Sequence, residues 1–254
     1  LSPFLRHFRN VAIIVAEFAS SALQYNVSCV LLAASKFLQV VAFFLPLKIL
    51  ILLASDSAPS YLNKLPIKMS YEELILLFIV MVPVTYIGYV ISGVLHRNIL
   101  DKDLKRWGSE EKVLQNISVK SKYRLLKLHG HSANILSELF LICSSLIMVA
   151  FVDVLMAMMM VLMIVTIQYY FAINVFYKKD DDRIGVFNLH RRQYIEYIFS
   201  ISFITVFLFL STQVYFYHMG IFEAIFVLLV SRMILQAAQR FSMENIYFVY
   251  YLWA

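Results

Sequence analysis

The sequence predicts an all-α membrane protein with six transmembrane helices, an N-terminal interfacial elbow helix and cytoplasmic helical extensions. Three observations carry that expectation. Of the 254 residues, 61% are hydrophobic and only 15% charged, and mean hydropathy is +0.76. A soluble domain has about 45–50% apolar and about 25% charged residues, so most helix faces here suit lipid rather than water. The apolar residues gather in six runs, each close to the ~20 residues that cross a hydrocarbon core about 30 Å thick. Lys and Arg fall in alternate connections between the runs, the asymmetry of a chain threaded back and forth with its basic loops inside.

Residues 1–26 come first and differ in kind. Phe4, Phe8, Val11, Val15 and Phe18 recur at helical spacing, with Arg6, Arg9 and Glu17 elsewhere on the helix. This is the pattern of an amphipathic helix lying along the membrane interface. The rival is a seventh, short span, which Glu17 interrupts. Residues 27–254 make the six-span domain, with spans at about 28–54, 74–95, 134–152, 154–177, 194–214 and 221–240.

Each connection then takes a side. The one after the first span holds Pro59 and Pro66, and its two bases, Lys64 and Lys68, are balanced by Asp56, Glu72 and Glu73. It reads as a short outer loop. The segment after the second span carries Arg97, Lys102, Lys105, Arg106, Lys112, Lys120, Lys122, Arg124 and Lys127, and reads as inner. Within it Leu100, Leu104, Trp107, Val113 and Leu114 alternate with charges, so the second helix is expected to run on past the membrane, with Gly108 an interruption. Asp153 marks a tight outer turn without a base, and residues 215–220 form another. The inner segment between them carries Lys178, Lys179, Arg183, Arg191 and Arg192. Both termini therefore fall inside.

The formal charge of +6 lies in blocks between apolar runs, which suits anionic lipid headgroups and not nucleic acid. Cys29 and Cys143 both fall in apolar helix and are expected to be buried thiols, with no disulfide or metal-ligand spacing. The first residue is Leu1, so the chain is read as part of a longer polypeptide. No cleavable signal peptide is expected, because Glu17 breaks the first apolar stretch and no cleavage site follows.

The order and spacing of these elements resemble the transmembrane domain of an ATP-binding-cassette exporter. The residues that carry the resemblance are the elbow helix, the Leu45-Pro46 step in the first span, and the basic extension of the second. The minimal outer turn around Asp153 and the short turn ending in Gly220-Ile221-Phe222-Glu223-Ala224 add to it, as does the end of the sixth helix at 229–241. Two departures stand beside it. The inner connection between the fourth and fifth spans is short, where the family carries a second coupling helix. No phosphate-binding loop is present: Gly88 and Gly93 have the glycine spacing, but Val94 follows and the site lies inside a span. By the resemblance, ATP and Mg would be held by a separate subunit or a further domain, and none is expected in this chain.

Polar residues inside spans are the chemical candidates, since an intramembrane charge is costly and is kept for pairing or function. Lys36 and Gln39 share a face of the first span with Ser28 and Ser35. Glu138 shares one with Asn134 and Ser145, and Tyr170 one with Thr166, Asn174 and Tyr177. Arg232, Gln236, Gln239 and Arg240 form a stripe on the sixth. The functional expectation is one hydrophilic cavity lined by Lys36, Gln39, Glu138, Tyr170, Arg232 and Gln236, with Glu138 pairing with Lys36 or Arg232. Arg240, Ser28, Asn134 and Tyr177 read instead as helix-end residues that snorkel or bond to neighbouring helices. Lys48 is left open between snorkelling and facing the bundle.

The methionine run at 156–160 reads as packing rather than copper(I) ligation, and His129 and His131 as interfacial residues. No metal site is expected. By the resemblance, a nucleotide-binding domain would dock at Ser109, Glu110 and Glu111 and at Asp180, Asp181 and Asp182; otherwise these are solvated charged turns. No nucleophile, base and orienter come together, so catalysis by this chain is not expected.

Two functions remain. One is the membrane subunit of an ATP-driven exporter, working as a homodimer or with a related chain in a bacterial inner membrane. The other is a non-transporting exporter-like module serving as sensor, anchor or assembly partner.

Overall fold

The computed structural model describes residues 3–21, 23–53, 70–107, 122–178, 182–185, 188–217 and 220–253. Among these the chain is helical, with seven α-helices: α1 Pro3–Ser21, α2 Leu23–Leu53, α3 Tyr71–Trp107, α4 Lys122–Val152, α5 Val154–Asn174, α6 Arg191–Tyr217 and α7 Ile221–Trp253. Six of them, α2 to α7, are long and apolar enough to cross a membrane. Their outward residues include Ile147, Met158, Leu162, Val165, Ile201, Ile204 and Leu208, a surface that lipid solvates and water does not.

The helices outrun the apolar segments that mark them. α3 has 37 residues and α7 has 33, about 55 and 50 Å at the helical rise, against a hydrocarbon core of about 30 Å. The backbone goes on making its own hydrogen bonds after the hydrophobic run has stopped, so α7 continues from Arg240 to Trp253. At α5 the difference is reversed: the helix ends at Asn174, and residues 175–178 turn, with the Val175 and Phe176 amides both donating to the Phe171 carbonyl.

The tight turn at Asp153 forms as expected. Asp153 caps α5, its Oδ1 accepting from the Met156 amide at 3.0 Å; this satisfies one of the donors a helix start leaves open. Between α5 and α6 the described residues include an antiparallel bridge, Ile184 to Leu189. Gly185 sits there at φ +73°, and a Cβ would come within 2.9 Å of the Tyr194 ring, so both backbone and space require glycine.

The chain divides into two compact units: Leu1–Val30 with Ile99–Ala254, and Leu31–Asn98. In the first, α7 packs most extensively on α4 and then on α6, while α5 lies against α4 and α1 against α4 and α5. The second unit is a helix pair. Ser35 Oγ donates to the Tyr89 carbonyl at 3.1 Å, Tyr71 Oη donates to the Leu52 carbonyl, and Lys48 Nζ lies 5.2 Å from the Phe78 ring centre. A Cβ on Gly88 would meet Leu38 at 3.3 Å, and one on Gly93 would meet Ser35 Oγ at 3.3 Å. The two glycines of this helix therefore serve close helix packing, with Ser92 as a third small residue. Replacing Gly88 with Leu overfills that contact and is expected to cost about 1–3 kcal/mol, read as a lower melting temperature of the detergent-solubilised chain; an unchanged melting temperature would show that the two helices do not approach so closely.

Candidate functional site

Hydroxyl groups on the outward faces are looked after locally. Thr166, Ser200, Ser211 and Thr212 each donate at 2.8 Å to the carbonyl four residues earlier, and Thr205 does the same at 3.3 Å. A hydroxyl bonded to its own helix can face lipid.

Four polar side chains of α4 and α5 are paired with α7. Arg240 donates Nε to Glu138 Oε1 at 2.7 Å and Nη2 to Oε2 at 3.3 Å, a two-pronged ion pair whose carboxylate is buried and whose guanidinium is half-exposed. Gln168 Nε2 donates to Ser242 Oγ at 2.7 Å. Glu244 takes His131 at 2.6 Å and the Asn134 amide at 3.0 Å. The His131 ring stacks between Tyr247 and Tyr251, with centres 5.2 and 5.3 Å away, and the Arg192 guanidinium lies 4.8 Å from the Tyr247 ring centre.

A further contact ties in α1. The His7 ring is buried, with Nδ1 3.0 Å from Tyr177 Oη and Nε2 3.1 Å from Asn245 Oδ1. The Asn245 amide nitrogen donates to the Phe241 carbonyl, so its oxygen must be the atom facing His7. Nε2 then carries the proton and Nδ1 accepts from the tyrosine, which is a neutral imidazole. Burial pushes the His7 pKa down, with the Asn245 hydrogen bond opposing it; burial raises that of Tyr177. At the same end of the bundle His129 Nε2 lies 2.9 Å from Asp103 Oδ2, both buried, and Tyr25 bonds Ser132 at 2.8 Å. His129 is thus a core residue joining α4 to α3, not an interfacial one.

One stripe is treated differently. α7 buries Met233, Ile234, Leu235, Ala237, Ala238 and Phe241, and leaves Arg232, Gln236 and Arg240 exposed, with Gln239 half-exposed. Arg232 lies about 16 Å from the α7 start by helical rise, about half the thickness of a hydrocarbon core. A charge at that depth costs about 2.5–3.5 kcal/mol on the insertion scale. Among the described residues it has no hydrogen bond or ion pair, and the Phe203 ring lies 6.0 Å from centre to guanidinium carbon. Arg232, Gln236 and Gln239, with Phe199, Ser200, Phe203 and Leu235, line an open cavity of about 290 Å³ between α6 and α7.

Of the expected cavity residues, the structure brings Arg232 and Gln236 together, and adds Gln239. Glu138 is buried against α7 with Arg240 as its two-pronged partner, and Tyr170 lies on the outer face, 3.0 Å from Tyr194 Oη. Lys36 and Gln39 belong to the other unit, with Gln39 exposed. Asp182 is exposed in the α5–α6 turn; Ser109, Glu110, Glu111, Asp180 and Asp181 lie outside the described residues. Cys29 is buried and Cys143 exposed, both as thiols. Among the described residues no group of three potential ligands could hold a metal. Asp103, Glu244 and Asn245 were not marked by the sequence pattern, because their partners lie 26 to 238 residues away.

These features define a multi-pass helical membrane protein. Comparison with protein-family models, with known proteins and with solved structures returns no match.

Two outcomes follow from the pairings. Unfolding exposes His7 to water, where its pKa is near 6.5, so the unfolded chain binds the proton more readily. Stability is therefore complete above about pH 6.5 and falls as pH drops below it; thermal melts across pH 5–8 should show the decline, and His7→Gln should flatten it. Arg240→Gln leaves the buried Glu138 carboxylate short of its cation and should destabilise by about 1–3 kcal/mol, while the double variant with Glu138→Gln should recover much of the loss in the same melts.

Proposed function

We propose that this chain is the membrane subunit of a transporter, and that the α7 stripe lines a polar path through the bilayer. The supporting observation is that Arg232, Gln236 and Gln239 open outward at membrane depth with no hydrogen-bonding partner among the described residues. Hydrocarbon is an unfavourable neighbour for a guanidinium and two carboxamides; water inside an assembly is a suitable one. Two copies placed with these stripes facing each other would enclose such water and leave the apolar surfaces to lipid.

In this proposal α1 is the interfacial elbow helix, with Arg6, Arg9 and Glu17 exposed and Val11 and Phe18 buried against the bundle. The ends of α3, α4 and α7 beyond the apolar runs are cytoplasmic extensions, and both termini are cytoplasmic, by the placement of Lys and Arg. The resemblance to ATP-binding-cassette exporters supplies the energy source: ATP and Mg on a nucleotide-binding domain or subunit that meets the inner segments. A bacterial inner membrane is the membrane we propose, from the placement of Lys and Arg on one side.

A second reading, a non-transporting module of the same architecture, is favoured by one observation. In the α5–α6 connection Ile184 bridges Leu189, where an exporter extends its helices toward its ATPase.

Single cysteines at 232, 236 and 239, in a chain whose Cys29 and Cys143 are replaced by Ala, should react with a membrane-impermeant maleimide, and cysteines at the outward apolar positions 162 and 208 should not. Co-purification of an ATPase whose turnover depends on this chain is the companion result for transport. Unreactive stripe positions would remove the aqueous path, and a partner-free assembly with no nucleotide response would leave the module.

A further inference from the structure

The α6–α7 cavity has two unlike walls. Phe199, Phe203 and Leu235 form an apolar one; Arg232, Gln236 and Gln239 form a polar one. The apolar wall needs no explanation inside a membrane. The polar wall does, because it presents one guanidinium and two carboxamides whose hydrogen-bonding capacity is unspent among the described residues, on a helix whose Arg240, Glu244 and Asn245 are matched. Ser200, the remaining polar residue of the lining, is already bonded to its own helix at 2.8 Å, which leaves the three α7 side chains as the donors. No carboxylate lines the cavity. Glu196, one turn away on α6, lies outside it, and Glu138 is engaged by Arg240. The site is thus electropositive, rich in N–H donors, and closed on one side by aromatic and aliphatic carbon.

We propose that this cavity holds the head group of an anionic amphiphile of the phosphate-ester class. A planar guanidinium matches two phosphate oxygens at once, and the glutamine amides add donors for a third oxygen and acceptors for an adjoining hydroxyl. A volume near 290 Å³ is at the low end for ligand pockets. It admits a phosphate head with a small hydroxylated unit and leaves the hydrocarbon tail outside, along the open mouth of the groove, where lipid already lies. As the cargo's chemistry this deepens the transport reading and depends on it for its role; the binding itself needs no transport.

The test uses the full chain in neutral detergent, titrated against fluorescent phosphatidic acid and followed by anisotropy, with fluorescent phosphatidylcholine, whose zwitterionic head has no net charge, as the comparison. Phosphatidic acid should bind at least tenfold more tightly than phosphatidylcholine. Arg232→Gln should abolish that preference, Arg232→Lys should keep part of it, and the double change Gln236→Leu with Gln239→Leu should weaken it with the charge intact. An unlabelled phosphate ester with a tail should displace the probe, and inorganic phosphate at millimolar concentration should not. Should Arg232→Gln fail to fold, the Lys variant and the glutamine pair carry the comparison. Equal binding of the two lipids, an unchanged preference in Arg232→Gln, or displacement by inorganic phosphate alone would each overturn the proposal. Reactive stripe cysteines with no head-group preference would sink the ligand and leave the path; a preference with unreactive cysteines would leave a lipid site without a path.

Discussion

A hydrocarbon solvent supplies no hydrogen bonds, and that constraint organises this molecule. Each polar group carried into the bilayer must find its partner in the chain, in a cofactor, or in water brought along. The chain meets it at two scales. Small hydroxyls on the lipid face return to the carbonyl four residues back. Larger groups cross to α7, which meets Glu138 of α4 at Arg240, Gln168 of α5 at Ser242, His131 and Asn134 of α4 at Glu244, and His7 of α1 at Asn245.

Those links do what apolar packing alone does not. Contacts among Leu, Ile and Met are non-directional, and in a membrane they compete with equally apolar lipid tails. A hydrogen bond between named atoms fixes the height and rotation of one helix against another. Four successive levels on α7 therefore set the register of α1, α4 and α5 at a single end of the bundle, and the column of Arg192, Tyr247, His131 and Tyr251 brings in the start of α6.

How much of this was legible in the sequence divides along the same line between local and distant information. Hydropathy is local, so all six spans could be read, and so could the Asp153 turn, where one acidic residue interrupts two apolar runs. Arg232 and Gln236 were legible because polar residues four apart in an apolar helix must share a face. Arg240 reads in sequence as a helix-end residue that snorkels or bonds a neighbouring helix, with no partner named, since Glu138 lies 102 positions away and nothing in either segment names the other. The apolar stripe of α1 was plain, yet His7 shares its inward face with Val11 and Phe18, and a histidine among apolar neighbours shows no partner in sequence. Gly88 and Gly93 gave a phosphate-loop spacing that the helix pair uses for close approach. Helix ends were the poorest feature, because hydropathy reports where lipid stops and the backbone ladder of α7 does not stop there.

The distribution of partners along α7 also separates a fixed half from a movable one. Among the described residues, every side-chain hydrogen bond that α7's own residues make to other helices lies at or beyond Arg240. Before that point its contacts are mainly apolar side chains and the Phe203 ring beside Arg232, with one long hydrogen bond, 3.5 Å, from Gln168 to the Ala238 carbonyl. Directional bonds break on displacement, whereas apolar surfaces exchange one set of contacts for another at little change in energy. A helix held this way can tilt or turn slightly about its tethered end, with a displacement that grows from Arg240 through Arg232 toward Ile221. The unmatched polar groups thus occupy the half of α7 that its bonding leaves able to shift, which is where a path or a head-group site that opens and closes has to be built.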